Sequence, residues 1–94
     1  MKDTRTKIQE LEEQMDKMGA ELGALAYAIQ LVEEKHKSAA DMVANVPNNI
    51  YIEEWKSEEC YTAQKLEQLK AIYNEKGKEQ AKICAKIDAF YNNF

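Results

Sequence analysis

The sequence predicts an all-α chain, folded as one long antiparallel two-helix hairpin of the coiled-coil type that dimerises into a four-helix bundle. Three observations carry this reading. The 94 residues include only 3 Gly and 1 Pro, too few turn formers for a β-sandwich or an alternating β/α fold. Ala, Glu, Lys, Gln, Leu and Met dominate instead, which is helix-forming chemistry. An apolar repeat with steps of three and four then runs along both halves of the chain, on either side of the lone Pro47. Charged residues make up 32% of the chain but hydrophobic ones 45%, so it is not a disordered acidic tail.

The first helix is expected over residues 3–45. Its seam reads Ile8, Leu11, Met15, Met18, Leu22, Leu25, Ile29, Val32, His36, Ala39, Val43 and Val46, in which only His36 is polar. A repeat of 3.5 residues held for this long is a coiled-coil seam rather than a simple amphipathic stripe. Ile8 takes heptad position a and Leu11 position d. Pro47 ends the helix, because proline biases the residue before it away from helical geometry. Pro47-Asn48-Asn49 is the one strong turn signal, placing the turn at 47–51.

The second helix is expected over residues 52–93, and the whole of 1–94 is read as a single domain. Its seam is noisier: Ile52, Trp55, Glu59, Thr62, Leu66, Leu69, Tyr73, Lys76, Gln80, Ile83, Ile87, Phe90 and Phe94. Folding the chain back at the turn pairs each residue of the first seam with one whose number sums with its own to 98. Val43 meets Trp55, Val32 meets Leu66, Leu11 meets Ile87 and Ile8 meets Phe90. Each pair joins an a residue to a d residue, as an antiparallel coiled coil requires. A three-helix alternative, with a break at Asn74–Gly77, ranks lower because the 98 register continues unchanged beyond it.

Some seam layers are poor. Leu22 faces Lys76, Met18 faces Gln80, His36 faces Thr62 and Ala39 faces Glu59. The Lys76 stem is expected to cover Leu22 while its ammonium reaches water. Gly19, Gly23 and Gly77 gather at the same level as Tyr73 and Lys76, and each glycine inside a helix costs about 1 kcal/mol against alanine. This level is therefore expected to be a place of close approach to the backbone, or of a small ligand. The first helix is also apolar nearly all round between Gly19 and Val32, which predicts more than one packing neighbour.

The flanking g positions place Glu21 beside Glu79 and Lys35 beside Lys65, two like-charge levels that are mildly destabilising in a lone hairpin. Between them lie Ala28 and Ile72, with Ala24 and Leu31 on the same side. A two-fold axis through the Ala28/Ile72 level sets the acidic level of one protomer against the basic level of the other. These eight residues are the expected dimer interface.

No catalytic constellation emerges, and no cofactor or metal is expected. His36 reads as a partly buried histidine bonded to Thr62 or Glu59. Cys60 falls at position b, away from His36, and Cys60 and Cys84 lack the spacing of a closed zinc site. Twenty-four residues apart on one helix, they lie roughly 36 Å from one another, far beyond disulfide reach. The carboxylate pairs Glu12-Glu13 and Glu53-Glu54 read as solvated faces. Gly19-Ala20-Glu21-Leu22-Gly23 matches a GxxxG helix-packing motif within a charged helix. The aromatic tail from Phe90 to Phe94 reads as an end cap of the bundle.

The net charge of −4 argues against nucleic acid, which demands a basic face. The charged start, the absence of an apolar run of membrane length and the reduced thiols predict a cytoplasmic protein that does not enter a membrane. The leading expectation is a non-enzymatic protein–protein interaction module acting as a homodimeric hairpin: an adaptor, small chaperone or inhibitor, whose partners are itself and another protein. Chain length, two helices and a Trp near the turn are similar to the Trp-x-Gly secreted hairpins of type VII systems. Here, however, Trp55 is followed by Lys56-Ser57, and no C-terminal Tyr-x-x-x-acid signal is present. The third reading is a bundle binding a nucleotide or apolar molecule near Gly19, Gly23, Tyr73, Lys76 and Gly77, with Lys76 supplying charge and Tyr73 a stacking face.

Overall fold

The computed structural model describes residues 4–92. Two helices, α1 (Thr4–Asn45) and α2 (Ile52–Asn92), pack against each other as a hairpin, with no strand among the described residues. The molecule is a rod of 69 × 16 × 16 Å. The expected helix ends at residues 3 and 93 lie outside the described residues. α2 continues without interruption through Asn74–Gly77, so the three-helix alternative does not hold. Gly77 weakens the helix locally, but Ile83, Ile87 and Phe90 beyond it remain partly buried on the same seam, and that packing carries the helix across.

Hydrogen bonding within the turn explains how the chain reverses without glycine. Val46 N–H closes the last turn of α1 on Met42 O at 3.0 Å, and Asn49 N–H then donates to Val46 O at 3.2 Å across Pro47-Asn48. Proline suits this position, since its fixed φ is pre-set for the turn and its missing N–H is not needed. Asn49 starts α2. Its Oδ1 accepts from Tyr51 N–H at 2.7 Å and its carbonyl from Ile52 N–H at 3.1 Å, the arrangement of a helix N-cap. Glu53 and Glu54 in the first turn complement the positive end of the helix dipole. No non-glycine residue has a positive φ among the described residues.

Seam positions are the protected ones. In α1 each a and d residue from Ile8 to Val43 is buried or half-buried, as is each in α2 from Ile52 to Phe90 except the more exposed Tyr73. Only Ile8, Ala39 and Thr62 are buried among the described residues. Specific contacts fix the register. His36 meets Thr62, numbers that sum to 98. On the e flank, Glu12 meets Tyr91 and Glu33 meets Lys70, and both pairs sum to 103. One register therefore holds over three heptads. No helix among the described residues is long and apolar enough to cross a membrane.

Candidate functional site

The heptad register separates two flanks of the hairpin with different chemistry. The e flank is cross-linked by the chain itself: Lys70 Nζ lies 3.3 Å from Glu33 Oε1, and Tyr91 Oη donates to Glu12 Oε1 at 2.7 Å. Donation to the Glu12 carboxylate holds the Tyr91 phenol above its ordinary range, because losing that proton would set two negative oxygens together.

The g flank is left open. Ile72 is 46% exposed and Leu31 42%, Ala24 is exposed, and Ala28 is half-buried between the helices. Lys35, Lys65, Glu58, Glu79 and Lys86 make no ion pair among the described residues. Grooves follow this flank along the rod. Near the turn, Leu31, Lys35, Ser38, Trp55 and Glu58 line an open groove of about 550 Å³. Beside Glu21, Lys76 and Glu79 lies one of about 270 Å³. At the open end, Lys7, Leu11, Gln14, Lys86 and Phe90 line one of about 240 Å³.

Lys76 makes a contact that the sequence reading did not name. Its ammonium, on a partly exposed side chain, reaches Glu21 Oε2 at 2.6 Å. The hydrogen bond and charge of Lys76 hold the Glu21 carboxyl below its ordinary range, and Glu21 in turn raises Lys76, with Glu79 adding to the effect. The acidic level at Glu21/Glu79 therefore carries a cation between its carboxylates, whereas Lys35/Lys65 has no such neutralising ion pair. Sequence reasoning missed this bond because it paired charges only along like heptad positions. A g residue also borders the d residue of the facing helix, and that adjacency is the signal for Glu21–Lys76.

At the His36 layer, Nδ1 lies 2.9 Å from Thr62 Oγ1 and 3.2 Å from Glu59 O. A ring nitrogen facing a carbonyl must donate, so Nδ1 carries the proton. Thr62 Oγ1 then passes its own hydrogen to Glu58 O at 2.8 Å or Glu59 O at 3.1 Å. The buried threonine is thus fully satisfied, and both partners named for His36 from the sequence are used.

The glycine level does not show close approach within the chain. A methyl group at Gly19 would meet only Gln80 Nε2, at 3.9 Å, and one at Gly23 or Gly77 would meet nothing within 4 Å. Lys76, the charge expected to serve a ligand there, is engaged by Glu21 on the g flank. Cys60 and Cys84 are free and exposed. Among the described residues no group of His, Cys, Asp and Glu is placed to hold a metal ion. Phe90 is half-buried at the open end, while Phe94 lies outside the described residues. Comparison with protein-family models, curated proteins and solved structures returned no match.

Proposed function

We propose that this chain is a non-enzymatic protein–protein interaction module that acts as a homodimeric helical hairpin, two copies forming a four-helix bundle. The observation that carries this reading is the g flank, where exposed Leu31 and Ile72 lie among charges that the hairpin leaves unpaired. Surface area points the same way. The chain exposes 7159 Å², against about 5,500 Å² for a compact protein of its mass. The excess is ample for an interface of ordinary size. The bundle then serves as an adaptor, small chaperone or inhibitor, and the exposed free thiols suit a reducing, cytoplasmic setting.

Sedimentation velocity tests the assembly. The protein is expected to run as a dimer at micromolar concentration, and Ile72→Asp as a monomer. A wild-type chain that stays monomeric up to millimolar concentration overturns the reading.

A further inference from the structure

Resting on the homodimer reading, we infer how the second copy is oriented: it lies antiparallel across the g flank, α1 on α1 and α2 on α2, with the two turns at opposite ends of the bundle. Two orientations are compatible with a two-fold dimer through this flank. If the axis runs along the helices, both turns share one end and each level meets its own kind, so that Lys35 and Lys65 face the partner's lysines. If the axis crosses the flank at Ala28/Ile72, residue pairs sum to 56 between the α1 helices and to 144 between the α2 helices. Lys65 then meets the partner's Glu79, Glu58 meets the partner's Lys86, and Lys35 meets the partner's Glu21. Opposed charges favour the second orientation, and like charges set directly opposite each other penalise the first.

Three further features agree. Ile72 is the middle residue of α2 (Ile52–Asn92), so an axis there lets the two α2 helices overlap along their whole length. Ala28 meets itself across the axis, a pair of small side chains that lets the two α1 helices approach closely. Tyr51, at a g position and 55% exposed beside the turn, comes to the partner's open end on the level of Lys7, at the rim of the groove there, where the Lys7 ammonium offers a donor for its hydroxyl. The axis-along-helix alternative leaves Tyr51 over the partner's turn. Lys76 does not upset this arrangement, because two carboxylates set against its one ammonium leave the Glu21/Glu79 level negative on balance, and that level still complements the partner's Lys35 and Lys65.

Single-cysteine crosslinking separates the two orientations. Ile72→Cys and Ala28→Cys are made separately in a Cys60→Ser, Cys84→Ser background, oxidised mildly, and run on non-reducing gels. The reduced proteins are sedimented in parallel. Each single variant is expected to give covalent dimer several-fold above the wild-type chain, whose own thiols at b and e positions lie off this flank. Suppose the reduced proteins sediment as dimers but crosslinks form only when the two variants are mixed. The turns then share one end, and the orientation fails while the homodimer stands. A dimer that crosslinks in no combination uses another face and also overturns the orientation. A monomer in sedimentation overturns the homodimer reading itself.

Discussion

At the scale of single residues, Lys76 shows why a coiled-coil register leaves some side chains undetermined. Its position opposite Leu22 follows from the repeat, but a four-carbon stem lets the ammonium reach any carboxylate within a turn, and it takes Glu21. His36 was more legible, because its short ring reaches only the Thr62 layer that the 98 register sets opposite it. The Lys76–Glu21 bond has a pH signature. Glu21 titrates below its ordinary 4.5 in the folded chain, so the unfolded chain takes up protons first as pH falls, and the bond's contribution is lost through and below that range. Lys76 titrates above its ordinary 10.5, so the contribution is present below 10.5 and lost as pH rises past the folded value. Replacing Lys76 by Met removes the bond and keeps the stem. The stability of wild type relative to Lys76→Met, from urea midpoints, is therefore expected to be highest at intermediate pH and to fall below pH 4.5. A difference that stays flat from pH 7 to 2.5 excludes the bond in solution.

At the scale of elements, the two helices and the turn were legible because apolar spacing and proline act locally. Asn49's part was not, since Asn48 and Asn49 are chemically equal and only backbone geometry decides which amide caps α2. The cap accepts from Tyr51 N–H, so Asn49→Ala is expected to cost about 0.5–2 kcal/mol and Asn48→Ala much less. Equal losses in thermal unfolding reject that assignment. The glycines led sequence reasoning to expect a close neighbour, because a helix that tolerates three of them sacrifices stability. Within the hairpin nothing occupies the space over Gly23 or Gly77. Their positions, b and e, also lie off the g flank. Gly23→Ala and Gly77→Ala are thus expected to raise stability by roughly 0.5–1 kcal/mol each and to leave the sedimenting mass unchanged. A loss of stability at either position instead points to a neighbour that the chain alone does not supply.

At the scale of the whole molecule, the proposed homodimer would make folding and association one process. A rod with a radius of gyration of 20.7 Å, against about 12 Å for a compact domain of this length, buries one stripe per helix and leaves Leu31 and Ile72 of the g flank exposed. The heptad repeat makes the stripe legible, but not the flank, because cross-protomer pairing depends on which charges remain unpaired after the hairpin closes. Mass action then governs stability: whatever binds only the folded chain stabilises it in proportion to the logarithm of its concentration. In the proposed homodimer the binding species is the chain itself. Diluting the protein a hundredfold is therefore expected to lower its Tm by roughly 5–10 °C, given the enthalpy of a bundle of this size. Ile72→Asp, which places a carboxylate at the centre of the flank, is expected to melt lower and at a Tm independent of concentration. If the wild-type Tm is the same at both concentrations and Ile72→Asp leaves it unmoved, the hairpin is stable alone and the g flank has no structural role in this chain. A wild-type Tm that moves with concentration while Ile72→Asp moves with it equally leaves the assembly intact and shifts its interface to another face of the rod.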